Sequence, residues 1–589
     1  MYSPPTRLLR VDLTTETVES ETVPDEWRQR FIGGKGLGAR YLYEELDANV
    51  NPFSDKNALI FMLGPLSGVL PGDSRYAVVT KSPLTGAFLD SYGGGEFPER
   101  LVGALGDHLG ILVTGVADRP IRLDVSDGTA QIRSAEDLWG GDTKTTDEAF
   151  PDAGVACIGP AGEKRVRYAT IASDGGEHQA GRGGAGAVMG GKQLKAVVAR
   201  GQPPDALAKL RRQLIDRFTG DSKNEWYLAS ETLETVDFAD EIGALATRGW
   251  QEQEFEGADG IGIEAAQSVA SEREREDDPL PGGFRIETEM GESVPRGGTP
   301  MSLGAGLGID DFDAVATLGE MCDRLGVDVI SAGTAIAWAI QADVTDEYNS
   351  DLEFGNATAV RELLEDIVFR ETELGDRLAE GVARAAQQYD GPDRVPTVKG
   401  MALPAYDPRS TVGMALAYAT SDRGACHRRA LPIETEAFEG ASWTLDDTVR
   451  LVVYEQNVRS LVWSLVADDF VGRSLWETLG AEWFRAVGME FTPEELLRTG
   501  ERIWNLTRLF NLREGFSRDD DAVPNFLLAA PDSTDGGQLD AETFETMLDA
   551  YYAVRGWDAE GRPTGGTLKT VGLDAGIEEA TGTGSRDPG

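Results

Sequence analysis

Chemistry needs side chains that can hold charge, metal or protons, and in this chain the usual ones are sparse. Three cysteines (Cys157, Cys322, Cys426) and three histidines (His108, His178, His427) are all that 589 residues contain. The cysteines are odd in number and far apart, so they make neither a disulfide framework nor a Cys-x-x-Cys clamp. With the histidines equally scattered, no zinc site of Cys and His is expected, and no protein metal ligand is assigned. Glycine is abundant instead, at 71 residues. It gathers in three segments where the backbone could present N–H groups to an anion. Gly33-Gly34-Lys35-Gly36-Leu37-Gly38 reads first as a turn before a helix over 39–46, and second as a phosphate contact. The segment 80–86, followed by Gly93-Gly94-Gly95, reads as a loop. Gly181-Arg182-Gly183-Gly184-Ala185-Gly186, running on to Gly190, sets an arginine inside a flexible nest, which suits phosphate or a pterin. It lacks both the Gly-Lys-Ser/Thr of a P-loop and a clean Gly-x-Gly-x-x-Gly, so common nucleotide sites are disfavoured.

These segments need elements to position them, and the apolar pattern supplies two kinds. In the first part, Leu9, Val11 and Leu13 alternate with Arg10 and Asp12, and apolar runs at 58–63, 76–80, 110–116 and 195–200 are bounded by Gly and Pro, a β pattern. Past Pro203-Pro204 the period changes, and Leu207, Leu210, Leu214 and Phe218 recur at helical spacing. Helices are expected over 359–369, 376–388, 446–466 and 494–512. The last is announced by Thr492 as cap, Pro493 in the first turn and Glu495 closing a capping box. Residues 270–300, charged and rich in Gly and Pro, read as one long loop, and the tail past Glu579 as disordered. The expected fold class is α+β: a β-rich domain over 1–202, then mainly helical domains over 203–396 and 397–589, the second boundary falling near 391–397. A mass of 63.4 kDa is more than one core usually spans.

Charge narrows the function. Asp and Glu number 101 against 55 Lys and Arg, a formal net charge of -46. Nucleic acid is excluded as a partner. With 41% hydrophobic residues the chain reads as folded with a solvated acidic surface. Such a surface repels itself in dilute buffer and is screened at molar salt, where the Debye length is about 3 Å. A halophile's cytosol is the expected setting. No apolar run approaches the length of a membrane span and Met1-Tyr2-Ser3-Pro4-Pro5 has no apolar signal core, so a cytoplasmic protein without a membrane partner is expected.

Read in order, the segments resemble one family over nearly the whole chain. The stretches 8–13 and 33–38, Ser74-Arg75-Tyr76 leading into 80–86, 157–163 and 180–195 look like the cofactor domain of the tungsten-pterin aldehyde:ferredoxin oxidoreductases. Met321-Cys322-Asp323-Arg324-Leu325-Gly326-Val327-Asp328, Leu403-Pro404-Ala405-Tyr406-Asp407-Pro408-Arg409, Asp422-Arg423-Gly424-Ala425-Cys426-His427, and the closing 501–512 and 551–557 look like its later domains. The resemblance implies a β base domain and two helical domains, with tungsten held at their junction by two pterin dithiolenes and by no protein atom. It implies that Arg75, Gly94, Gly181, Arg182 and Gly183 contact the first pterin. Asp323 and Asp328 would accept hydrogen bonds from pterin ring amines, Val327 standing for the leucine of the family's Asp-x-x-Gly-Leu-Asp. Arg429 replaces a lysine near the second pterin. His427 matches the active-site histidine, a proton donor or carbonyl-orienting group for a small aldehyde. Ferredoxin or another acceptor would take the electrons, and a homodimer or a complex with another family member is the implied assembly.

The chain also departs from that pattern. The family's [4Fe–4S] cluster takes Cys-x-x-Cys-x-x-x-Cys upstream of 303–311 plus one distant cysteine. Here 277–297 has none, and Asp468 stands at the fourth position. The cluster is expected to be absent. The second pterin motif has become Trp463-Ser464-Leu465-Val466-Ala467-Asp468. The family's catalytic glutamate aligns with Gly298, with Glu287, Glu289 or Glu292 as alternative acids. These losses keep two further readings open beside the oxidoreductase: a non-catalytic paralogue serving as scaffold, and a non-redox tungsten lyase.

Overall fold

The structure is a computed structural model that describes residues 2–344, 352–389, 394–440, 443–528 and 539–573. The expected disordered tail past Glu579 and residues 391–393 of the expected second boundary lie outside the described residues.

The N-terminal part carries two six-stranded sheets. The first joins β1 (Arg7–Asp12), β2 (Thr17–Thr22), β3 (Leu59–Met62), β4 (Tyr76–Lys81), β5 (Phe88–Gly93) and β6 (His108–Thr114) in the order β2-β1-β6-β3-β4-β5. The second joins β7 (Ile121–Ser126), β8 (Thr129–Ser134), β9 (Gly154–Cys157), β10 (Ile171–Ser173), β11 (His178–Ala180) and β12 (Leu194–Ala199) in the order β11-β10-β9-β12-β7-β8. Strands β3, β4, β9 and β12 are buried along their whole length, which is why they read as continuous apolar runs. Leu9, Val11, Phe61 and Val113 pack towards Leu123, Val125 and Val197 of the second sheet. Leu8, Ile60, Met62 and Val79, on the opposite face, pack on helices Gly34–Glu45 and Pro493–Arg513. The C-terminal part of the chain thus returns to cover the first sheet.

The rest is mainly helical, around a large core that unites helices Phe312–Leu325, Val329–Gln341, Ala357–Phe369 and Val412–Thr420. The capping box at 492–495 forms: Glu495 N donates to Thr492 Oγ1 at 3.2 Å and Thr492 N to Glu495 Oε2 at 2.8 Å. Among the described residues no helix is long and apolar enough to cross a membrane.

Three local expectations are corrected. Residues 270–300 are not one loop but hold an antiparallel sheet of β13 (Ala270–Arg273), β14 (Phe284–Thr288) and β15 (Gly291–Ser293). Only Phe284 and Ile286 show its period, too short a signal among charges. The expected helix 376–388 is two, Glu373–Ala379 and Val382–Ala386, parted at Gly381 with φ 94°. The helix expected from 39 begins at Gly34, so the first glycine segment is helical rather than a turn before a helix. A Cβ at Gly34 would sit 2.2 Å from the Trp463 carbonyl oxygen, so glycine there admits a neighbouring backbone.

Candidate functional site

Three stretches converge on a cavity of about 280 Å³ between the β domain and the helical part. From the β domain come Arg75, just before β4, and Gly181 and Arg182 of the nest between β11 and helix Ala185–Gly191. Arg182 has φ 70° and Gly183 φ 71°, a left-handed pair that turns the chain around the wall. The nest is braced from behind, with Ser91 Oγ donating to the Gly181 carbonyl at 2.9 Å and Ser82 Oγ to that of Gly183 at 2.6 Å. The segment 80–86 therefore supports the nest and does not line the cavity.

The second stretch joins helices Phe312–Leu325 and Val329–Gln341 and brings Asp323, Val327 and Asp328 to the wall. Gly326, at φ 72°, makes the sharp link. Asp328 caps the second helix, accepting from Ser331 N at 2.9 Å. Burial, with Glu320 and Glu177 close by, pushes the Asp323 carboxyl well above the usual carboxylate range. That shift favours the protonated form of Asp323, which can donate a hydrogen bond as well as accept.

The third stretch, after helix Val412–Thr420, supplies Arg423, Arg428 and Arg429, with Trp463 and Phe470 beside them. With Arg75, Arg182 and Arg296 that makes six arginines on one wall of a strongly acidic protein. Among the described residues, Arg75 Nε, Arg182 Nε, Arg423 Nε and both Nε and Nη1 of Arg429 are buried and find no hydrogen-bond partner. Buried donors are rarely left so. Beneath them Asp90 takes Arg429 and Lys35 as ion partners. Burial alone would raise the Asp90 carboxyl, but Arg429 and Lys35 hold it far below the usual range. Tyr92 stacks on Trp463 with ring centroids 4.0 Å apart, giving a flat aromatic wall.

His427 is not on the cavity lining, though its neighbour Arg428 is. Its ring lies 5.6 Å from that of Tyr406, and Nδ1 is buried without a partner. Burial, then Arg428, Arg182 and Arg423, push its pKa well below the ordinary histidine value, so the imidazole is neutral. That favours orienting a carbonyl over donating a stored proton. Cys426 next to it is buried, but Arg423, Arg429 and Arg182 outweigh burial and bring its thiol down to about 7. Arg423 Nη2 lies 3.0 Å from the sulfur.

Gly94 and Gly183 lie just behind the lining. A Cβ at Gly94 would meet Asp73 Oδ2 at 2.5 Å, and one at Gly183 would meet Leu89 Cδ1 at 2.5 Å, so each admits a close neighbour. Gly298 is on the wall, whereas Glu287, Glu289 and Glu292 are not. Glu289 pairs with Arg361 and Glu292 with Arg285 on the new three-stranded sheet. Sequence reasoning gave no site role to Arg296, Arg423 or Arg428. Arg296 sits beside the Gly297-Gly298 pair, the same signal that marked Arg182, and Arg423 lies within a quoted motif.

The orphaned guanidinium donors, with Asp323 and Asp328 on the same cavity and Asp328 3.8 Å from Arg182 Nε, fit an anionic cofactor carrying a polar ring, as a pterin with phosphate does. A [4Fe–4S] cluster fits poorly. It takes four thiolates, and the chain has three cysteines, none of them on the cavity wall. Asp468 is engaged otherwise, meeting Arg75 Nη2 at 2.9 Å and accepting from Phe470 N and Val471 N.

The profile described as "Aldehyde ferredoxin oxidoreductase, N-terminal domain" matches residues 8–201, and that described as "Aldehyde ferredoxin oxidoreductase, domains 2 & 3" matches residues 209–573. The chain belongs to the aldehyde ferredoxin oxidoreductase family. Among its relatives, the tungsten-containing aldehyde ferredoxin oxidoreductase of Pyrococcus abyssi is 35% identical, the alignment covering 96% of this chain and 98% of that protein. The enzyme so described from Pyrococcus furiosus is 34% identical, covering 97% and 99%. An aliphatic sulfonate oxidoreductase, WOR-like subunit, of Pyrococcus furiosus is 27% identical, covering 97% of each. The active site complex BamBC of benzoyl coenzyme A reductase shares the fold, with a TM-score of 0.83 over 98% of both chains at 24% identity.

Proposed function

We propose that the chain is a tungsten-pterin oxidoreductase that oxidises a small aldehyde to the carboxylate and passes two electrons to ferredoxin or another acceptor. Family membership and the aldehyde ferredoxin oxidoreductase relatives support the activity. The single observation that carries it into this molecule is the arginine wall with its unpartnered buried donors.

The reaction balances as aldehyde plus water to carboxylic acid, two protons and two electrons. A bound tungsten-pterin group would supply the two-electron sink. Arg75, Arg182, Arg423 and Arg429 would meet its phosphates and ring carbonyls, and Asp323 and Asp328 its ring amines, with Gly181 allowing the backbone close. His427, neutral and set just behind the lining beside Arg428, would orient the aldehyde by a single hydrogen bond only where the substrate reaches past that wall towards Tyr406. The flat Tyr92–Trp463 pair closes one side against water. Electrons leave without a bound iron–sulfur cluster, because Arg75 and the helix cap occupy Asp468 and three cysteines cannot supply four thiolates. The acidic surface suits work at molar salt in a cytosol.

Purification at molar salt, followed by tungsten, pterin and iron per chain and dye-linked aldehyde oxidation, tests this. About one tungsten with pterin, no iron, and turnover is the expected result. Absence of both metal and pterin would turn the reading to a scaffold. Loaded protein without oxidation would turn it to a non-redox lyase.

A further inference from the structure

One cluster of side chains on the cavity wall is left out of this reading. His178 opens β11, and its imidazole is only 7% exposed. Its nearest carboxylates stand just beyond good hydrogen-bond range: Nδ1 is 3.5 Å from Asp73 Oδ2, and Nε2 is 3.6 Å from Glu274 Oε1 and 4.0 Å from Asp174 Oδ2. Glu177 adds another, and one ligand atom from each of Glu177, His178 and Glu274 falls within 4.8 Å of the other two. Two ligand atoms each about 2.1 Å from a common ion, at tetrahedral angles, lie roughly 3.4 Å apart. The imidazole-to-carboxylate spacing therefore matches donors sharing an ion better than donors bonded to each other.

Charge points the same way. Arg75 is shared by Asp73 and Asp468, Arg296 by Glu274 and Glu231, and Arg285 by Glu177 and Glu292. With Asp174 the neighbourhood holds seven carboxyl groups against five arginines, Arg273 lying close to Glu231 and Glu274 and Arg275 to Asp73. Arg285 donates to both oxygens of Glu177, and Glu274 accepts from Arg296 at Oε1 and from Gly283 N at Oε2, so each carboxylate is held in place with one lone pair per oxygen left over, in the manner of groups that orient ligating carboxylates.

We propose that Glu177, His178 and Glu274 bind one divalent transition ion, of the Zn²⁺, Mn²⁺ or Fe²⁺ class, in a one-nitrogen, two-carboxylate site. Glu177 and His178 belong to the β domain and line the cavity, whereas Glu274 directly follows β13 in the helical part. The ion is a clasp: it pins the small three-stranded sheet to the β domain beside the cofactor cavity. The inference does not rest on the tungsten reading, since the donors stand whether or not that cavity is filled.

Co²⁺ is the probe. Full-length protein in molar KCl, which suppresses loose binding to the acidic surface, is titrated by calorimetry and by visible absorption. One Co²⁺ per chain, with visible d–d bands and a raised Tm, is expected, Zn²⁺ displacing it. His178→Ala should lose the bands and bind at least about 100-fold more weakly. Glu274→Gln should also weaken binding, while Glu289→Gln, whose carboxylate pairs with Arg361 and is not among the donors, should not. Equal binding and spectra in wild type and His178→Ala would overturn the site. Should His178→Ala fail to fold, His178→Gln and Glu274→Gln make the same comparison. Aldehyde oxidation is scored separately, so a failure of the clasp and a failure of the proposed activity are told apart.

Discussion

Replacing Asp90 with asparagine tests the charge arrangement beneath the arginine wall. The carboxylate is fully buried, Arg429 Nη2 donates to its Oδ1 at 2.5 Å and Lys35 Nζ to its Oδ2 at 3.3 Å, and Asp422 is the second carboxylate that pairs with both cations. Asparagine keeps the shape but leaves Lys35, Arg423 and Arg429 facing one carboxylate. Breaking a buried pair on one side costs about 3–5 kcal/mol. For a unit of this domain's size, 1 kcal/mol moves Tm by about 2–4 °C, so the first thermal transition should fall by roughly 10 °C. The sign with pH follows from the depressed folded pKa. The contribution is fully present above the unfolded value near 3.9 and is lost only as pH falls towards the folded value, so the gap between wild type and variant should be constant from pH 5 to 9. Differential scanning calorimetry in molar KCl measures both. A fall below about 2 °C, or a gap that closes near neutral pH, would refute the idea that Asp90 holds this wall together.

Three other outcomes are expected. His427→Ala should abolish aldehyde oxidation with tungsten and pterin content unchanged; unchanged turnover would remove the histidine from the reaction. The Cys426 thiol, brought down to about 7, stabilises the fold fully above its unfolded value near 8.5, and that contribution of about 2 kcal/mol is lost as pH falls through 7. Tm against pH should therefore dip between pH 8.5 and 6 in wild type but not in Cys426→Ser. At Gly298 a Cβ would meet only Ile330 Cδ1 at 4.0 Å, so Gly298→Glu should fold normally and restore a carboxylate to the cavity wall. Steady-state kinetics should show turnover raised by roughly tenfold or more, and no gain would exclude a missing acid at that position.

Elements with a long, uniform signal were legible in the sequence. Strands β3 and β4 are buried on both faces, and helix Pro493–Arg513 carries its own capping box, so local pattern and tertiary role agree there. Residues 270–300 failed for the opposite reason: three strands of three to five residues leave one apolar pair, Phe284 and Ile286, to show a period of two. Glycine misled in a different way. At Gly34 it answers to the Trp463 carbonyl from a helix more than 400 residues away, a demand no local window contains. Arg182 was found because an arginine among glycines is odd; Arg296, beside its own glycine pair, carried the same mark inside a stretch read as loop.

Asp468, at the position where the family resemblance leads one to expect a cysteine, shows why one residue should not be read apart from its partners. A carboxylate is a hard ligand and does not take the place of a thiolate on iron–sulfur. Buried at 3% exposure, it needs a cation and hydrogen bonds, and it has Arg75 at 2.9 Å and two backbone N–H groups. Arg75 in turn takes Asp73 at 3.0 Å, and Asp73 faces His178. Arg296, within the stretch that has no cysteines, pairs with Glu274 and Glu231. Aspartate at 468 is thus one member of a connected set of ionic groups reaching from the helix cap to the three-stranded sheet. Restoring one cysteine there would rebuild no cluster and would leave Arg75 short of a counter-charge. Any account of residue 468 has to take this ionic set as a whole, since changing one member leaves its partners without counter-charge.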